Sequence, residues 1–157
     1  MKYALIDMGS NSIRLTVYDM DQTEFRILFK EKIMAGLAGY VEHGQLTQDG
    51  IDCACQSLRK FYHTLELLQI SHLAVFATAS LRNISNTAQA AEQIRRTTGI
   101  DVEILTGEAE AEYGFYGATC DIKIAGGLFA DVGAPAPNWP YSGTGRSVRR
   151  PAYRWGH

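Results

Sequence analysis

The chain has 157 residues, enough for one domain with a sizeable core, and its 46% apolar and 20% charged residues are the balance of a soluble globular protein. A formal net charge of −2 with no basic tract argues against a nucleic-acid surface, and no apolar run approaches a membrane span. The N-terminus opens on a short strand rather than a leader, so a cytoplasmic location is expected.

Tyr3–Ile6 is a short apolar run that stops at Asp7. Ile13–Tyr18 reads as a second strand with Ile13, Leu15 and Val17 on one face, and Glu24–Ile33 as a third with Phe25, Ile27 and Phe29 in alternation. Short turns between them predict an antiparallel meander. Residues 36–44 read as a glycine-containing loop. Thr47 is placed to cap a long helix in which Ile51, Cys55, Leu58, Phe61, Tyr62, Leu65 and Leu68 recur at helical spacing. Cys53 and Cys55 lie on different faces of that helix, and the histidines show no ligand spacing, so neither a disulfide framework nor a zinc site is indicated.

His72–Ala77 reads as a buried strand, and Thr78–Ser85 as a polar connection. Asn86 with Gln89 resembles a capping pair for a helix ending near Gly99. Val102–Leu105 is a further strand, Gly107–Thr119 a helix opened by Thr106, and Leu128–Val132 a last strand. A meander followed by alternating helices and strands predicts an α/β fold with a mixed sheet and helices on its faces. From Ala134 to His157 the character changes: all 4 prolines and both tryptophans fall here with several arginines, no period is visible, and the segment reads as a disordered tail.

Three segments carry candidate chemistry. Asp7-Met-Gly-Ser-Asn-Ser12 is a tight turn between adjacent strands. Gly9 permits backbone angles and a close approach that other residues resist. Ser10, Asn11 and Ser12 offer hydroxyl, amide and successive backbone N–H donors for an anion, and Asp7 can hold a cation beside it. An ordinary polar hairpin turn is the competing reading. Neither a Walker loop nor a dinucleotide fingerprint is present. Arg82, on a strand-to-helix connection, could fork onto a phosphate, against the alternative of a surface salt bridge.

The helix from Gly107 carries Glu108 and Glu112 on one face. Glu110 points toward Tyr113, Gly114 and Gly117, and the two glycines leave that face open for a substrate or another chain. Preference of acidic residues for a helix N-terminus explains Glu108 but not the glycines.

With these motifs in order, Ile6-Asp-Met-Gly-Ser-Asn-Ser12, Ala77-Thr-Ala-Ser-Leu-Arg-Asn83 with Asn86, and Thr106-Gly-Glu-Ala-Glu-Ala111, the chain resembles the exopolyphosphatase and guanosine pentaphosphate phosphohydrolase family, within the actin-like ATPase superfamily. The resemblance implies a first ribonuclease-H-like lobe over residues 1–127, the start of a second at 128–133, and an aberrant tail at 134–157. It implies that Gly9, Ser10, Asn11, Ser12, Arg82 and Gly133 bind phosphate, that Asp7 and Asp131 serve a metal, with magnesium as cofactor, and that Glu110 is the catalytic base. The glutamate often found before the base is Ala109 here. Polyphosphate or guanosine pentaphosphate is the implied substrate. A non-catalytic phosphate-binding module of the same superfamily is the alternative. A sugar-kinase or chaperone ATPase lobe is disfavoured because those relatives place other residues at the Arg82 and Glu110 positions.

The family's second phosphate loop has the form Asp-Val-Gly-Gly-Gly-Ser-Thr-Glu. This chain keeps Asp131-Val-Gly133 and then departs. Codons for Ala134–Pro140 can be chosen so that one restored base yields Gly-Ala-Ser-Thr-Glu-Leu-Ala, and the same shift permits a Leu-Pro-Leu-Gly segment under Tyr153–Gly156. A shifted reading frame after Gly133 is therefore expected. It would leave this chain a truncated lobe with little hydrolysis of its own and an uncovered inter-lobe surface open to homodimer formation.

Overall fold

The computed structural model describes residues 1–21 and 24–119, together with the short strands at 127–129 and 153–155. It divides into two compact units, Met1–Ile104 and Leu105–His157.

The first unit is built on five strands: β1 (Lys2–Met8), β2 (Ile13–Met20), β3 (Phe25–Ile33), β6 (His72–Ala77) and β7 (Glu103–Ile104). Their order across the sheet is β3-β2-β1-β6-β7. The first three form an antiparallel meander, and β6 and β7 run parallel to β1. This is the mixed α/β sheet of a ribonuclease-H-like lobe.

Period-two alternation fixes which face is buried. Ala4, Ile6 and Met8 of β1 and Ile13, Leu15 and Val17 of β2 are buried, and each pairs with a core neighbour across the ladder. β3 departs from the expected alternation. Val17 pairs with Phe29 but Tyr18 pairs with Ile27, so Leu28 is an extra, bulged residue. A one-residue insertion exchanges the faces beyond it. Phe29 and Ile33 therefore pack against the core, while Phe25 and Ile27 remain 48% and 42% exposed. Phe25 instead meets Tyr18 edge-on, ring centres 5.9 Å apart.

Helix α1 (Gln48–Leu67) starts as the sequence indicates, with the Thr47 hydroxyl accepting from the Gly50 N–H at 3.3 Å. Ile51, Ala54, Cys55, Leu58, Phe61 and Leu65 form its buried stripe. Tyr62 and Leu68, expected on that stripe, are 45% and 44% exposed. Phe61 and Leu58 are fully enclosed, and each such side chain contributes about 1.5–3 kcal/mol by leaving water. Ala90 and Ile94 of α3 (Thr87–Thr98) join the same apolar cluster, and α3 ends at Gly99 in the left-handed region, φ 74°, with its N–H on the Arg95 carbonyl.

The segment expected as a plain loop holds more structure. A 3-10 turn (Leu37–Tyr40) is followed by a hairpin of β4 (Val41–Glu42) and β5 (Gln45–Leu46). His43 and Gly44, at φ 49° and 76°, give the two-residue connection whose twist suits paired strands. Gly50 on α1 allows this segment to sit close, since a Cβ there would lie 2.6 Å from Leu46 Cδ1 and from Tyr40 Cβ.

In the second unit, α4 (Gly107–Thr119) is opened by Thr106, whose hydroxyl accepts from the Ala109 N–H at 3.1 Å. β8 (Gly127–Phe129) pairs antiparallel with β9 (Tyr153–Trp155). No helix among the described residues is long and apolar enough to cross a membrane.

Candidate phosphate-binding site

β1 and β6 are parallel neighbours, and Met8 pairs with Ala77 at their shared carboxyl end. The chain leaves β1 toward β2 on one side of the sheet order and leaves β6 toward β7 on the other. Such a divergence between adjacent strand ends is the usual ligand position of open α/β sheets. The Gly9–Ser12 turn follows β1 here, and Thr78 with the short helix α2 (Ala79–Arg82) follows β6. The buried Ser80 hydroxyl donates to the Met8 carbonyl and ties them together.

The turn is held by its carbonyls. Ser12 O accepts from the Gly9 N–H at 3.0 Å, Ser10 O from Ala38 N–H at 2.9 Å, and Asn11 O from Gly36 N–H at 2.9 Å. In a planar trans peptide the N–H points opposite to the C=O. The N–H groups of Asn11 and Ser12 are therefore directed away from the Gly36–Ala38 segment. Ser12 is buried, Ser10 half-buried and Asn11 exposed.

Gly9 plays a different part from the one its residue type suggests. The glycines at positive φ in the described chain are Gly36, Gly44 and Gly99, so Gly9 supplies no left-handed angle. The expectation of special backbone angles is corrected, while that of close approach holds, because a Cβ at Gly9 would lie 3.0 Å from Ser12 O.

Asp7 is half-buried on the sheet face opposite Ile6 and Met8 and is in register with Arg14 and Phe76. Its hard oxygen donors beside the hydroxyl-rich turn suit magnesium, which commonly takes one or two carboxylates and completes its shell with water and substrate phosphate. No group of three or more His, Cys, Asp or Glu side chains able to hold a metal occurs among the described residues. Arg82 is half-buried at the end of α2, with its backbone N–H on Thr78 O at 2.9 Å. Glu110 is half-buried on α4, in the second unit, between exposed Glu108 and Glu112. Asp131 and Gly133 lie outside the described residues.

Asn86 overturns its sequence reading. It occupies the position before α3 but makes no side-chain cap to that helix. Its amide instead accepts from the Leu46 N–H at 2.9 Å and donates to the Leu46 carbonyl at 3.0 Å. Ser80 was not singled out from sequence; a serine two residues beyond a strand end is the signal that could have found it.

Residues 16–134 match the Ppx/GppA phosphatase family. The guanosine-5'-triphosphate,3'-diphosphate pyrophosphatase of Vibrio vulnificus is 32% identical over 113 residues, 69% of this chain and 22% of that protein. The crystal structure of the Aquifex aeolicus member of the Ppx/GppA family superposes with a TM-score of 0.72 at 28% identity, covering 80% of this chain and 42% of that one. An exopolyphosphatase from Cytophaga hutchinsonii gives 0.71 at 30% identity, covering 78% and 39%. The chain thus spans about a fifth of the curated relatives it matches and about two fifths of these solved chains.

Proposed function

We propose that this chain, which belongs to the Ppx/GppA phosphatase family, is the phosphate-holding lobe of a hydrolase that removes the terminal phosphate of inorganic polyphosphate or guanosine pentaphosphate. The observation that carries the reading is the parallel β1–β6 pair, from whose adjacent ends leave a turn with its Asn11 and Ser12 N–H groups directed away from the Gly36–Ala38 segment and a connection that bears Arg82.

Asn11 and Ser12 N–H groups and the Ser10 and Ser12 hydroxyls would hold phosphate oxygens. Arg82 would fork onto a phosphate and offset charge as the leaving oxygen departs. Glu110 would take a proton from the water that attacks the terminal phosphorus, as the bond to the bridging oxygen breaks and inorganic phosphate and a shortened chain separate. Magnesium, held through Asp7 and Asp131, would neutralise phosphate charge. Gly133 would add a phosphate contact. A cytoplasmic location and a homodimer belong to the same proposal.

The departure after Gly133 favours a second reading, a phosphate-binding module without turnover, for the chain as it stands. Phosphate release from long-chain polyphosphate with magnesium separates the two. This chain is expected to release little. A version with the reading frame restored and continued into the second lobe is expected to turn over, and Glu110→Gln in it to lose about 100-fold to 10,000-fold in rate while retaining ligand. Unchanged turnover in Glu110→Gln removes the base assignment. Codons at 134–140 that cannot yield the restored loop remove the frame assignment.

A further inference from the structure

Hydrogen bonds linked by short chain segments join Asn86 to the carbonyls of the phosphate turn. Asn86 takes both main-chain groups of Leu46, at 2.9 and 3.0 Å. Only one orientation of its amide satisfies a donor and an acceptor on the same residue, so the pairing also fixes which atom is oxygen. A strand residue projects its N–H and C=O to the same side, and one amide can therefore pair with it as a neighbouring strand would. Ser85 adds to the tie, its N–H and hydroxyl both donating to Gly44 O, at 2.8 and 3.1 Å. From Leu46 the path continues through Thr47, whose N–H meets Tyr40 O at 2.9 Å, into the 3-10 turn. At the far end of that turn, Gly36 and Ala38 hold the carbonyls of Asn11 and Ser10.

The other side of the path closes on the same place. Asn86 follows directly on the connection that carries Arg82, and Ser80 of that connection holds Met8 O at the base of the phosphate turn. The ring thus runs from the phosphate turn to the 3-10 turn, the hairpin, Asn86, the arginine connection and back.

We propose that Asn86 is a positioning residue for the phosphate turn: by clamping the β4–β5 hairpin to the Arg82 connection, it fixes the 3-10 segment that aims the Asn11 and Ser12 N–H groups at an anion. The proposal rests on the phosphate reading of that turn. The residue does not touch the ligand. It sets where the ligand's donors are.

The test uses the full chain, labelled for amide resonances, with inorganic tripolyphosphate and magnesium as the probe. In Asn86→Ala, exchange at the Gly36 and Ala38 amides is expected to quicken about tenfold or more while Leu5 and Val75 keep their protection. Tripolyphosphate affinity, read at the Asn11 and Ser12 amides, is expected to fall roughly tenfold, the weight of a lost hydrogen-bonded pair. Asn86→Asp keeps an acceptor for the Leu46 N–H but sets a carboxylate oxygen against the Leu46 carbonyl, so it should show both losses as well. Leu65→Ala is the control. It destabilises the core about 22 Å along α1 from Gly50 and should leave affinity unchanged.

Wild-type exchange and affinity in Asn86→Ala overturn the proposal, as does an equal loss of affinity in Leu65→Ala, which makes the effect one of stability alone. Should the wild-type chain show no shifts at Asn11 and Ser12, the phosphate reading fails, and exchange at Gly36 and Ala38 still decides whether Asn86 positions the turn. If Asn86→Ala does not fold, Asn86→Asp and Ser85→Ala carry the same comparison.

Discussion

The Gly9–Ser12 turn and helix α4 both bear proposed site residues, yet the first is tied down at three consecutive carbonyls and the second buries no residue at all. The contrast follows from composition. The turn grows from strands whose Ala4, Ile6, Met8, Ile13 and Leu15 are sunk in the core, whereas α4 reads Gly-Glu-Ala-Glu-Ala-Glu-Tyr-Gly-Phe-Tyr-Gly and has no stripe of large aliphatic side chains. Donors that must meet an anion in one arrangement gain from being fixed beforehand, because nothing need reorganise when charge develops. A base needs one oxygen within reach of a water and can ride on a helix without a buried stripe.

Core and surface substitutions should separate the two regions most widely. Phe61→Ala, which removes a large, fully buried side chain of the apolar cluster, is expected to cost about 3–5 kcal/mol in urea unfolding. Tyr113→Ala on α4, where the side chain is 60% exposed, should stay within about 0.5 kcal/mol. Equal costs would mean that α4 is packed as tightly as α1.

Glycine-to-alanine changes should have opposite signs in the two places. At Gly9 the new methyl presses on Ser12 O at 3.0 Å, so Gly9→Ala should destabilise by about 1–3 kcal/mol and weaken tripolyphosphate binding. At Gly117 a Cβ meets nothing within 4 Å, and alanine should strengthen the helix by about 0.5–1 kcal/mol. Thermal unfolding by circular dichroism reads both. A stabilised Gly9→Ala would remove the close-approach account of that residue.

The sheet was legible because β2 alternates, β1 and β6 are short apolar runs with clear ends, and α1 begins at a good cap, so element order and the two adjacent strand ends follow from pattern alone. What escaped was set by interactions with no local period. The bulge at Leu28 exchanges the faces of Phe25 and Ile27, and alternation cannot announce an inserted residue. Strands of two residues, as in β4 and β5, have no period to read, and their turn takes a left-handed histidine that sequence would not nominate. Asn86 has the right chemistry for a cap beside it and spends that chemistry 40 positions away. Candidate site residues were found by type, while the bonds that aim them, from Gly36, Ala38 and Ser80, come from contacts between distant segments.

The smallest expected effect contrasts a carboxylate with a purely local role on α3 with the base proposed on α4. Glu92 accepts from Arg95 Nε at 2.8 Å and from Arg96 Nε at 2.6 Å, both one turn along its own helix. The Arg95 guanidinium, which also donates through Nη2 at 3.0 Å, and after it the Arg96 guanidinium hold its pKa down from 4.5 to about 2. A depressed folded-state value means that the ionised form is favoured by folding. Its stabilisation is complete above the ordinary carboxylate value and is lost as pH falls through about 2. Glu92→Gln should therefore lower the thermal midpoint slightly at neutral pH and flatten the part of the acid limb between 4.5 and about 2. The difference should shrink in high salt, since the group sits at the surface where mobile ions screen the pair. A Glu92 carboxyl that titrates at 4.5 by NMR would show that the two arginines do not hold it in solution.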